Sequence, residues 1–359
     1  MNLNVAYPTP AYAKLELAEV RRRIKAAKAI LGNRLLILGH HYQVDEVIEH
    51  ADIVGDSLQL SRAAAATNAE LIVFCGVHFM AETADLLTAP HQQVFLPNID
   101  AGCSLADMAD IAKVTLAWRT LIDEWGEQIV PITYINSAIE LKAFCGEHGG
   151  AVCTSSNAAA VLNWAWQRQP RVFFFPDQHL GRNTAYRQGL SLEQMVLYSQ
   201  EQIASKIGPD VKLILWNGHC CVHQEFRITF YQQLKQQRPE VKIIVHPECN
   251  FELARLADFM GSTEYIIKTI KAAATGTSWA VATEVNLVKR LQQQRPDLEI
   301  ILPSDYDPRC RTMAMITPVH LLFQLENLVQ GHYINRVVVP EKLRQPALLA
   351  VNRMLELTR

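Results

Sequence analysis

The sequence lacks most of the short motifs that mark common catalytic and binding folds. It has no GxGxxG opening a helix after a strand, no GxxxxGKS or GxxxxGKT and no GxSxG. Dinucleotide-binding, P-loop and α/β-hydrolase functions therefore lose their usual sequence support. No CxxC pair of the zinc-finger kind is present, so thiols that share a metal must be gathered from long range. No apolar stretch approaches the ~18 residues of a membrane span. The first residues, MNLNVAYPTPAYAKLELAEV, lack a basic start followed by an apolar core, and the expectation is a cytoplasmic protein. Excess positive charge is missing too. With 34 Lys and Arg against 36 Asp and Glu, there is no electrostatic footprint for nucleic acid, and Arg21 to Arg23 reads as a solvated helix face.

What is present is the balance of an ordinary globular protein: 359 residues, 49% hydrophobic and 19% charged. That length allows two or three domains with substantial cores. Short continuous apolar runs recur, among them RLLILG, ELIVFCGV, IVPITYI, RVFFFP, VKIIVHP, SWAVAT and RVVVP. Being continuous rather than alternating, they read as strands buried on both faces. Between them lie helical stretches such as SLQLSRAAAATNAE and STEYIIKTIKAAA. The alternation predicts an α/β fold of parallel sheets with helical crossovers.

The chain also reads as one unit used three times. His40-His41-Tyr42, Tyr134-Ile135-Asn136 and His246-Pro247-Glu248 each follow an apolar run. Cys103, Cys220 and Cys310 lie 63, 86 and 64 residues after the first member of each triplet. ADIVGDS and ADFMGST match in register, with Ser57 and Thr263 each 17 residues beyond a histidine, while Ser155 in AVCTSS lies 19 beyond Asn136. The expectation is three pseudo-symmetric three-layer αβα domains around a central site. Their expected spans are 1–108 with 318–359 packing back on it, 109–225, and 226–317. Each of Ser57, Ser155 and Thr263 is expected to open a helix, capping it or helping it hold an anion.

Eight cysteines at irregular intervals do not make a disulfide framework, so reduced thiols are expected. Cys75, Cys145, Cys153, Cys221 and Cys249 read as buried small hydrophobes. Cys103, Cys220 and Cys310, in matching positions after strands, read as ligands of one 4Fe-4S cluster. With three thiolates and no fourth, one iron is open to act as a Lewis acid. His40, Tyr42, Tyr134, Asn136, His246 and Glu248 are the acid–base candidates beside it. GDSL at Gly55 to Leu58 matches a lipase motif in isolation, but ADFMGST supplies the same position without one.

Taken together, GHHYQ, DIVGDSLQLSR, PNIDAGCSLADM, YINSAIELKA, CTSSNAA, FPDQHLGR, WNGHCCVHQEF, HPEC, MGSTEYII and CRTMAMI resemble the quinolinate synthase A family over nearly the full length. That family closes the pyridine ring in NAD biosynthesis. The resemblance implies condensation of iminoaspartate (iminosuccinate) with dihydroxyacetone phosphate, with loss of phosphate and two waters. It implies cluster ligation by Cys103, Cys220 and Cys310. It also implies substrate contacts from His40, Ser57, Tyr134, Ile135, Asn136, Ser155, His246, Pro247, Glu248 and Thr263. Tyr42, Tyr134, His246 and Glu248 would be catalytic. A functional link to an aspartate-oxidising enzyme is implied as well, with no nucleic-acid or membrane partner, in a monomer or homodimer.

Two departures stand out. Some relatives carry CxxCxxC at the third ligand where only Cys310 remains, and many have Asn at the position of His41, whose role is open. The competing readings are a mononuclear zinc lyase and an iron–sulfur sensor, but no basic reading helix supports the sensor.

Overall fold

The computed structural model describes residues 4–198 and 208–358. Its strands form three sheets. In the first, β1 (Leu35–His40), β2 (Ile53–Gly55), β3 (Leu71–Cys75) and β4 (Gln93–Phe95) are parallel. The second contains β5 (Ile129–Tyr134), β6 (Ala151–Cys153), β7 (Arg171–Phe175), β8 (Met195–Leu197) and β9 (Leu213–Leu215). The third contains β10 (Lys242–Val245), β11 (Phe259–Met260), β12 (Ser278–Ala282) and β13 (Glu299–Ile301). Finally β14 (Arg336–Val337) returns antiparallel to β4 at the edge of the first sheet.

The three sheets share a strand order. The sheets run β2-β1-β3-β4, β6-β5-β7-β9 and β11-β10-β12-β13, with β14 and β8 added at two edges. In each, the first strand lies between the second and the third. These central strands carry the apolar runs: β3 and β5 are buried throughout, as are the last four residues of β12. Side chains on both faces meet helices rather than water, which is why the runs are continuous. Among the described residues, no helix is long and apolar enough to cross a membrane.

The first and third sheets share a side-chain contact. Asp52 Oδ2 accepts the backbone N–H of Ile37 at 2.8 Å, and Asp258 Oδ2 accepts that of Ile243 at 2.7 Å. Lys28 Nζ lies 2.7 Å from Asp52 Oδ1 and Lys235 Nζ 2.7 Å from Asp258 Oδ2. The ADIVGDS and ADFMGST match therefore marks a side-chain clamp on the neighbouring strand.

The expected helix starts need correction. Ser57 and Thr263 occupy the first helical position, while Asp56 and Ser262 before them cap the chain through Gln59 N–H and Tyr265 N–H. Ser155 lies in a turn before the helix Ala158–Trp166. A capping oxygen must sit just outside the first turn, and GDS and GST each place such a residue one step earlier.

Contacts divide the chain into two units, residues 1–103 with 309–340, and residues 104–308 with 341–359. The last helix, Glu341–Glu356, thus belongs with the second sheet, whereas 318–359 was expected to return to the first. Its partner is the helix Ile139–Glu147. The close approach needs Gly146, because a Cβ there would stand 1.8 Å from the Pro346 carbonyl oxygen. Asn157 Nδ2 donates to the Met354 carbonyl, and Arg353 donates to that of Gly150.

Gly146→Val should force this helix outward and lower stability by about 1–3 kcal/mol, the usual range for overpacking. Thermal melting and protease cleavage within 341–356 would both report it. An unchanged melting curve would show that the contact yields freely.

Candidate active site

The polar triplets fall where parallel sheets present ligands, at the carboxyl ends of their first strands. His40 closes β1 and His246 follows β10. The turns after them match. Tyr42 N–H donates to His40 Nδ1 at 3.1 Å, and Glu248 N–H donates to His246 Nδ1 at 3.3 Å. The His40 and Tyr42 rings meet edge to face with centroids 4.7 Å apart. Tyr134 closes β5, followed by buried Ile135 and by Asn136, whose Oδ1 is buried without a hydrogen-bond partner among the described residues. Ser57 is half-buried and Thr263 buried.

Within residues 104–308, one constellation stands out. Glu248 is 3% exposed. Its Oε2 lies 2.7 Å from His223 Nδ1 and 3.4 Å from His246 Nδ1. The two imidazoles stack, with centroids 4.4 Å apart. Burial alone would push the Glu248 carboxyl up, but His246 and His223 outweigh it and hold the group ionised below the usual range. Burial, reinforced by His246, pulls His223 below the usual imidazole range. Cys220 caps the short helix Cys221–Gln224. Its sulfur, one His223 nitrogen and one Glu248 oxygen all lie within 4.8 Å of one another.

His223 and Asp177 were not singled out from sequence. The signal for His223 was the Cys220-x-x-His223 spacing, and His219 stands four residues before it. Asp177 in FPDQHLGR is fully buried. It caps the helix Gln178–Arg187 through Leu180 N–H at 2.7 Å and its backbone pairs with Gly218, two residues before Cys220. Burial, and then Glu248, push its carboxyl well above the usual range. A third missed residue is Lys142. It is fully buried and donates to the Ser137 carbonyl at 2.5 Å, bracing the turn after Tyr134-Ile135-Asn136.

Beside the constellation is a cavity of about 390 Å³ lined in part by Ser155, Thr184, Arg187, Pro247, Gly261 and Ser262. Hydroxyls and a guanidinium suit a carboxylate or phosphate. Pro247 connects this cavity to the His246-Pro247-Glu248 turn.

The cysteines separate by burial. Cys103, Cys220 and Cys310 are half-buried, whereas Cys75, Cys145, Cys153 and Cys249 are buried. Desolvation pushes those four thiols up, Cys75 to about 12. Cys221 was expected to be buried and is instead exposed, with Sγ 3.6 Å from Ser104 Oγ. Its neighbour Cys220 takes the cap position, and the helical turn aims the next side chain outward.

Asp177 has a raised carboxyl in the folded chain, so folding takes up a proton and stability drains away as pH rises above the unfolded carboxyl value. Asp177→Asn should thus gain on the parent as pH rises above the ordinary carboxyl range. Denaturant unfolding across that range would show it, and parallel pH profiles would refute it.

The model for the quinolinate synthetase A protein family matches residues 22–356. Quinolinate synthase of Geobacillus kaustophilus is 50% identical over 350 residues, covering 96% of this chain and 95% of that protein. The Herpetosiphon aurantiacus enzyme is 49% identical over 354 residues, covering 96% and 94%. That of Bacillus subtilis is 48% identical over 353 residues, covering 97% and 96%. With the strand-end histidines, the buried Glu248 and the half-buried cysteines in place, this near-complete match shows that the chain belongs to the quinolinate synthetase A family, the quinolinate synthases of NAD biosynthesis.

Proposed function

We propose that this quinolinate synthase joins iminoaspartate to dihydroxyacetone phosphate, releasing phosphate and two waters, and that Cys103, Cys220 and Cys310 hold a 4Fe-4S cluster. The donor set fits such a group. A ligating thiol must lose its proton, and the four buried thiols are shifted against doing so. Of the other four, the exposed Cys221 falls outside the positions the repeat selects, which leaves the half-buried Cys103, Cys220 and Cys310 as ligands. When bound, a cluster with three thiolates supplies a Lewis-acidic iron at its open corner.

The rest falls to side chains. Ser155, Arg187 and Ser262 in the cavity, with Ser57 and Thr263 at helix starts, would hold the phosphate and carboxylates. Asn136 Oδ1 offers a buried acceptor to a substrate N–H or O–H. Tyr42 and Tyr134 stand at strand ends as hydroxyl donors. Glu248, ionised and backed by His223 and His246, is placed to take protons during imine formation and isomerisation and to return them on dehydration. The observation that carries this assignment is geometric: a buried carboxylate with imidazole nitrogens 2.7 and 3.4 Å from one oxygen, close enough for a proton to pass between them. Such an environment serves proton transfer better than it serves stability. The shared strand order of the three sheets supports three copies of one αβα unit.

Anaerobic reconstitution of the full chain with iron and sulfide should give about four irons per chain and formation of the pyridine dicarboxylate. Cys103→Ala, Cys220→Ala or Cys310→Ala should abolish both the brown absorbance and activity. A variant that keeps both would lose its ligand assignment. Glu248→Gln should retain the cluster and reduce turnover by roughly 10²- to 10⁴-fold, the range for a lost acid–base group. Normal turnover in that variant would remove Glu248 from proton transfer.

A further inference from the structure

We infer that Cys220, His223 and Glu248 also form a mononuclear site for one divalent ion of borderline softness, zinc(II) or iron(II), without using Cys103 or Cys310. Three donor atoms from these residues lie within 4.8 Å of one another. A thiolate, an imidazole and a carboxylate, with a fourth position for water, match the donor number and type that zinc takes in open sites. Glu248 Oε1 is buried and has no hydrogen-bond partner among the described residues, so one lone-pair-bearing oxygen is left for a cation.

The surroundings hold the donors in place, as outer contacts do in metal sites. Thr283 Oγ1 is 3.3 Å from His223 Nε2, Gln224 Nε2 donates to the Glu248 carbonyl at 3.0 Å, and a backbone bridge from Asp177 to Gly218 fixes the loop that leads to Cys220. Cys220 and His223 sit on one helical turn, and Glu248 comes from the loop after β10, so all three belong to residues 104–308. Binding exchanges the Cys220 thiol proton for the metal and releases that proton to solvent. No oxidant or reductant is needed.

Only one consequence rests on the cluster assignment proposed above. Because Cys220 serves both, a single bound ion would obstruct cluster insertion.

Cobalt(II) is the probe, added to the full chain stripped of metal under argon. Expected are one cobalt per chain and a thiolate-to-metal charge-transfer band, abolished by Cys220→Ser and unchanged by Cys103→Ser or Cys310→Ser. His223→Gln should weaken binding at least ~10-fold, the lower range for disturbing a metal's surroundings. His223→Cys, which keeps a donor, should bind and strengthen the band, guarding against simple misfolding. A parent chain without the band would overturn the site, as would a band that depends on Cys103 or Cys310. Preloading with zinc should slow cluster reconstitution several-fold. If the cobalt band is present but zinc leaves reconstitution unaffected, the shared use of Cys220 is wrong while the mononuclear site stands.

Discussion

A carboxylate removed from water is the constraint around which this site is built. Stripping an ion of its solvent costs several kcal/mol, about as much as the margin by which many domains are stable. Glu248 is tolerated because two imidazoles face its Oε2. His223 comes from the short helix after the second sheet and His246 from the turn after β10, so elements following two different sheets meet at one charge.

The same economy governs the backbone around it. Asp177 is buried, its Oδ1 capping the helix Gln178–Arg187 while its backbone bridges to Gly218 just before Cys220. Asn183, on that helix, donates to the carbonyls of Pro247 and Cys249 at 2.8 and 2.7 Å. One helix thus holds a candidate ligand loop at its start and the Glu248 turn farther along. Lys142 does comparable work for the turn after Tyr134, trading a solvated ammonium for a carbonyl partner.

The central strands were legible in the sequence because a strand covered on both faces needs an unbroken apolar run. The strands that escaped, β2, β6, β8 and β11, are two or three residues long and lie at sheet edges. There, too little surface is buried to leave a pattern. The triplets and the three cysteines stood out through their spacing, and the family match rested on them. His223, Asp177 and Lys142 did not, because their importance comes from what folding packs against them. The helix Glu341–Glu356 was misplaced for a similar reason: nothing in its own residues names Gly146 as the floor it rests on.

The matched turns after β1 and β10 set different side chains on one backbone device. In His40 and His246 the Nδ1 atom accepts a backbone N–H two residues on, so each ring is tied to its own turn. The residue that supplies this N–H is Tyr42 after β1 and Glu248 after β10. The same local geometry thus anchors a phenol in one place and a carboxylate in the other.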